Sequence, residues 1–227
     1  MHPQRIPTDA NLFALPIGLP TPEDDGAARH LLGATLPHVQ LHSTRGRTVD
    51  VAEVGEHLSV FFFYPATIKT GIPIPGEWSE IPGARGCTLQ NCAYRDAYED
   101  FRSLGCEVLG VSGQGLDAKQ GLAEQVEFAE RVHLPFALLN DSRFELTHAL
   151  GLPTFVASLK SPTVFFEGKK STFPLQGQTL VKRLTFVAHR GRIEKVFYPV
   201  FPPDRNASDV LGYLRDRVPA SNAGRRD

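Results

Sequence analysis

The sequence predicts an α/β domain with a mixed central sheet covered by helices on both faces. Short continuous apolar runs at residues 58–64, 107–112 and 135–139 have the length and uniformity of strands buried on both sides. Segments of 3.6-residue periodicity lie between them, as crossovers linking parallel strands require. A late pair of strand-like segments, 183–188 and 193–198, is separated by His189-Arg190-Gly191-Arg192 and adds an antiparallel hairpin.

Taken in order, residues 1–34 read as a Pro/Gly-rich N-terminal extension. A hairpin follows, with His38-Val39-Gln40-Leu41 and Val49-Asp50-Val51 flanking Thr44-Arg45-Gly46-Arg47. After the strand at 58–64, residues 65–86 break into prolines and glycines with no period. Loops of about twenty residues are uncommon inside a compact domain and are usually functional. Residues 88–104 form a helix with Cys92, Tyr94, Tyr98, Phe101 and Leu104 as its buried stripe, ended by Gly105. The strand at 107–112 leads to Asp117, the N-cap of a helix whose apolar face is Leu122, Val126, Ala129 and Val132. The strand at 135–139 is followed by a short helix at 143–150, stopped by Gly151, and by an irregular segment at 152–180. A last helix spans 208–218, and 220–227 read as a disordered tail. One domain, 35–219, accounts for all these elements.

Lys plus Arg (24) and Asp plus Glu (25) nearly cancel, so nothing in the charge asks for nucleic acid or an acidic surface. No run of apolar residues is long enough to span a membrane. Residues 1–22 carry scattered prolines and no apolar core of a secretory signal, so a cytoplasmic location is the expectation. Three cysteines do not make a disulfide scaffold. In a reducing compartment, cysteines close in sequence are instead reactive or metal-binding.

Cys87 follows the turn-rich Ile81-Pro82-Gly83-Ala84-Arg85-Gly86 and opens a helix. A sulfur there faces unpaired N–H groups and the positive end of the helix dipole, with Arg85 as a neighbouring cation. Such surroundings bring a thiol from about 8.5 into the range of roughly 3.5–7.5 and so favour the nucleophilic thiolate. Cys92 lies five residues on. In an intact helix the two Cα atoms are about 8–9 Å apart, whereas a disulfide needs them within about 7 Å. The pair can bond only if the first turns unwind, which suits a redox switch and not a static staple. Cys92 equally fits the apolar stripe, and Cys106 reads as core filler. With no Cys-x2-Cys pair and no histidine nearby in sequence, zinc is not expected. The spacing also departs from the Cys-x-x-Cys of disulfide exchangers.

The strings Gly86-Cys87-Thr88-Leu89-Gln90-Asn91-Cys92-Ala93-Tyr94-Arg95-Asp96 and Gly105-Cys106-Glu107-Val108-Leu109-Gly110-Val111-Ser112 resemble the AhpC/TSA-like peroxiredoxin family. Within it they are most similar to the Q type, or bacterioferritin comigratory protein, whose two cysteines share one helix. Arg183-Leu184-Thr185-Phe186 resembles the segment carrying the family arginine. The resemblance implies a thioredoxin-like fold and a thiol-dependent peroxidase acting on hydrogen peroxide and organic hydroperoxides. It makes Cys87 the peroxidatic cysteine, oxidised to a sulfenic acid, and Cys92 the resolving one. It makes Arg183 the cation that holds the thiolate and polarises the peroxide, and packs Pro65 over the sulfur. No cofactor or metal is implied. The reductant is a thioredoxin or glutaredoxin-type donor, and the protein a monomer or homodimer.

The chain departs from the family in one place. The pattern Pro-x3-Thr-x2-Cys finds Glu80 and Ala84 where Pro and Thr belong. Residues near 68–83 therefore read as an insertion, with Thr67 or Thr70 supplying the hydroxyl, or none. A second insertion at 152–180, carrying Phe155, Phe165, Phe166 and Phe173, covers the site mouth or builds an interface. Two further readings stay open on the same fold: a thiol–disulfide oxidoreductase, and a redox sensor or binding module without catalysis.

Overall fold

The computed structural model describes residues 12–217. Residues 1–11 of the extension and the tail at 220–227 lie outside the described residues. The first part of the chain runs β1 (Gln40–Ser43), β2 (Thr48–Asp50), α1 (Val51–Gly55), β3 (Ser59–Phe63), α2 (Gly76–Glu80), α3 (Cys87–Asp96), α4 (Tyr98–Ser103) and β4 (Glu107–Ser112). It continues through α5 (Ala118–Arg131), β5 (Ala137–Asn140), α6 (Glu145–Ala149), β6 (Thr154–Val156), β7 (Thr163–Phe166) and β8 (Lys169–Thr172). The last elements are β9 (Thr179–Val181), β10 (Leu184–His189), β11 (Arg192–Phe197) and α7 (Asn206–Arg217).

Seven strands form one mixed sheet in the order β11-β10-β3-β4-β5-β1-β2. The three apolar runs are its parallel centre, β3, β4 and β5. The hairpins β10–β11 and β1–β2 close its two sides antiparallel. Because side chains alternate along a strand, β3 feeds two cores. Val60, Phe62 and Tyr64 point to one face, where Phe128 of α5 and Val210 and Leu214 of α7 cover them. Phe61 and Phe63 point to the other, against Val51, Leu146 and Leu31. Leu31 and Ala28 thus bring the end of the extension into the core.

The segments read as irregular carry more order than expected. Residues 65–86 contain α2. Residues 152–180 contain four strands, β6 pairing with β9 and β7 with β8. The two segments also pack together: Trp78, Ala157, Leu159, Val164, Phe173 and Leu180 form a third apolar cluster outside the two sheet cores. Short elements whose partners are remote in sequence leave little local periodicity to read.

Two helices differ from expectation. The helix at 88–104 divides at Ala97 (φ −96°, ψ 5°) into α3 and α4, and the break still packs Tyr94 against Phe101 with tilted rings, centroids 5.5 Å apart. On α5 the buried residues are Gly121, Gln125 and Phe128, while Leu122, Val126 and Ala129 are only half-buried. Gln125 is drawn inward by polar partners: it donates to the Tyr64 hydroxyl (3.0 Å) and the Leu139 carbonyl (3.1 Å) and accepts from Asn140 (3.1 Å). Gly121 lies where any Cβ would run into the Gln114 carbonyl. Asp117 caps this helix as expected, accepting from the Gln120 N–H at 2.8 Å.

Phe62 is the centre of the face on which the cysteines lie. It stacks on Tyr94 at 4.2 Å and meets Phe136 edge-on at 5.6 Å. Phe62→Ala is expected to lower the unfolding free energy by about 3–5 kcal/mol, measured by urea denaturation of the reduced protein.

Candidate active site around Cys87

Gly86 sets the position of the first cysteine. It sits in the left-handed region (φ 95°) as the N-cap of α3, and a Cβ there would collide with Pro203. Glycine answers both constraints. Cys87 is then the first residue of α3, beside backbone N–H groups that have no helical partner. Its thiol is buried and directed toward the Ala84 carbonyl, 3.7 Å away.

Arg183 reaches the same sulfur from the sheet. Alternation along the strand puts Arg183, Thr185 and Val187 on the Cys87 face and Leu184, Phe186 and Ala188 on the other. Its Nη2 lies 3.2 Å from Cys87 Sγ and donates to the carbonyls of Arg85 (3.0 Å) and Gly83 (3.2 Å). Its Nη1 donates to Gln90 Oε1. Arg183 as a whole is only 3% exposed, and its Nε has no hydrogen-bond partner among the described residues. Arg85 is also close: burial pushes its guanidinium down, and the charge of Cys87 opposes that shift.

The arginine is held by a relay that the sequence did not disclose. Gln90 turns its Nε2 to Asn206 Oδ1 (3.0 Å), which also accepts from the hydroxyls of Tyr94 (2.8 Å) and Thr185 (2.7 Å). Asn206 opens α7, so the C-terminal helix, α3 and β10 meet at one buried oxygen. Gln90 and Asn206 are polar residues on helices, which sequence reasoning assigns to the solvent side. The only signal was the position of Gln90 inside the cysteine motif.

Cys92 lies on α3 with Cys87, and both are free thiols. Burial pushes the Cys92 thiol up. Cys106 belongs to the core around Phe62, and burial pushes its thiol up to about 12. Pro65 is buried, with its carbonyl accepting from Ser112 at 2.9 Å. Thr67 donates its one hydroxyl proton to Gln114 Oε1 (3.0 Å), which also takes the Thr67 N–H. Thr70 is exposed. The hydrogen bonds of Cys87 therefore include no threonine hydroxyl among the described residues, and the residues of this stretch that line the space above the sulfur are Ala66 and Ile68.

Two tests follow from this geometry. Asn206→Leu strands three buried donors and is expected to cost at least about 3 kcal/mol, against about 1 kcal/mol for Tyr94→Phe, both read by urea unfolding. For Cys106, the unfolded chain releases its proton near the ordinary thiol value of about 8.5 while the folded protein keeps it up to about 12. That contribution to stability is complete below about pH 8.5 and is lost as the pH rises toward 12. Cys106→Ala should show a shallower alkaline fall in a pH series of denaturation midpoints.

Residues 81–187 match the AhpC/TSA family. Chloroplastic peroxiredoxin Q of Gentiana triflora is 27% identical over 210 residues, covering 90% of this chain and 78% of that protein. Among solved structures, peroxidoxin BcpB of Mycobacterium tuberculosis superposes with a TM-score of 0.56 at 22% identity, over 82% of this chain and 96% of that one. The bacterioferritin comigratory protein of Xanthomonas campestris gives 0.55 at 18% identity, over 79% and 91%. These likenesses agree with the mixed sheet: the chain has a thioredoxin-like fold, its residues 81–187 resemble the AhpC/TSA family, and the curated proteins it is similar to include peroxiredoxins of the Q type.

Proposed function

We propose that the protein reduces hydrogen peroxide and organic hydroperoxides through a sulfenic acid on Cys87 and an intramolecular Cys87–Cys92 disulfide. The observation that carries this reading is the 3.2 Å contact between the Arg183 guanidinium and Cys87 Sγ at the start of a helix that also holds Cys92. The Cys87 thiolate attacks one peroxide oxygen. The S–O bond forms, the O–O bond breaks, and the departing oxygen takes a proton to leave as water or an alcohol. Arg183 neutralises charge developing on the oxygens. The relative from Xanthomonas campestris, described for alkyl peroxide reduction, supports hydroperoxides as the substrate class.

Cys92 then displaces hydroxide from the Cys87 sulfenic acid, giving a disulfide and, with one proton, water. Because burial raises its pKa, Cys92 stays a protonated thiol while α3 is intact and does not compete for peroxide. Unwinding the first turns of α3 brings the sulfurs together and exposes Cys92 in the same motion. A dithiol donor of the thioredoxin or glutaredoxin type restores both thiols by exchange, so the cycle requires a reducing compartment.

The test is to mix reduced protein with one equivalent of hydrogen peroxide and follow free thiols and intact mass. The wild type should lose two thiols and the mass of two hydrogens. Cys87→Ser should abolish the change, and Cys92→Ser should stop at sulfenic or sulfinic acid. Arg183→Met should slow the first step by about a hundredfold or more. A wild type that stays reduced for many minutes would sink the reading in favour of a sensor or binding protein.

A further inference from the structure

The space above Cys87 is small, and segments foreign to the family pattern wall it. The cavity at the sulfur has a volume of about 30 Å³. That admits about two water-sized groups, the two oxygens of hydrogen peroxide. Beyond Cys87 and its own turn, its walls are Leu12 and Ala14 of the extension, Ala66 after β3, and Ile68, Ile74 and Trp78 of the first insertion. Roomier cavities exist, of about 400 Å³ beside Lys182 and 340 Å³ beside Lys69, but Cys87 lines neither.

The wall is braced from behind. Trp78 is 2% exposed and packs on Phe173 and Phe155 of the second insertion, centroids 5.6 and 6.4 Å away. The neighbouring Glu77 carboxylate accepts the N–H groups of Lys160 and Ser161, pinning α2 to that insertion. Arg131 of α5 donates to the Ile68 carbonyl at 3.3 Å, fixing the start of the first insertion. The second insertion thus does not cover the mouth itself. It props the residue that does.

We propose that Trp78, with Ile74 beside it, selects substrates by size, admitting hydrogen peroxide and excluding hydroperoxides with a bulky substituent. This rests on the peroxidase reading and narrows its substrate class. A substituent on the peroxide must occupy volume that the indole and the isoleucine side chain fill, and displacing them breaks the packing against both insertions. Trp78 and Ile74 are specificity-determining residues and take no part in bond making.

The experiment compares second-order rate constants for thiol oxidation by hydrogen peroxide and by cumene hydroperoxide in wild type, Trp78→Ala and Ile74→Ala. The wild type should prefer hydrogen peroxide by about tenfold or more. Trp78→Ala should shift the ratio toward cumene hydroperoxide by about tenfold, and Ile74→Ala by a smaller factor in the same direction. Ile74 is only half-buried, so its variant decides the matter if Trp78→Ala does not fold. Equal wild-type rates for the two peroxides, or an unchanged ratio in Ile74→Ala, overturns the size selection alone. Inertness toward both peroxides overturns the peroxidase reading and this proposal with it.

Discussion

The structure depends on a buried guanidinium. Arg183 is enclosed between the sheet and the first turn of α3, and among the described residues no carboxylate pairs with it. A buried cation is tolerated only when its donors are well met. Here Gly83 and Arg85 supply backbone carbonyls, Gln90 supplies its amide oxygen, and Cys87 supplies its sulfur. Of those contacts, the sulfur alone belongs to a group able to carry negative charge. The arginine therefore fixes the loop, the helix start and the thiol at once. None of these can shift without breaking bonds to the others.

The rest of the molecule serves to hold that cation in place. Strand alternation delivers Arg183 to the right face, and a one-residue slip of β10 against β3 would turn it toward the other core. The pairing Leu184–Phe63, Thr185–Phe62, Phe186–Phe61 prevents the slip, because aromatic rings fill both faces of β3. Asn206 adds a second anchor. Its side-chain oxygen collects donors from α3 and β10, so the orientation of Gln90, and through it of Arg183, depends on how α7 packs.

This explains what could be read in the sequence. Buried parallel strands are continuous apolar runs, so β3, β4 and β5 were visible, and Cys87 after Gly86 marked a helix start by its chemistry. The burial of Gln90, Gln125 and Asn206 was not visible, since their partners come from segments far away in the chain. The apolar stripe assigned to α5 was displaced for the same reason: Gln125 occupies the position that periodicity would give to a leucine or valine. The insertions were recognisable as interruptions of a motif. Their mutual packing through Trp78 and Phe173 was not, because neither segment has an apolar face that is meaningful without the other.

The arrangement that positions the thiol also opposes the motion proposed for the second half of the cycle. The first turn of α3 is secured by Gln90 N–H to Gly86 (2.9 Å), by the Asn91 side chain to the Cys87 carbonyl (2.9 Å), and by Gly86 fitting against Pro203. Unwinding to join Cys87 and Cys92 must release these bonds together with Gln90 from Asn206 and from Arg183. Oxidation changes the balance at one point in this set, the sulfur. In the proposed cycle that sulfur gains an oxygen, and the bulkier group has to be accommodated beside the Arg183 guanidinium, 3.2 Å from the reduced sulfur. In that proposed cycle, the contact that organises the reduced site is thus the one that oxidation disturbs before resolution.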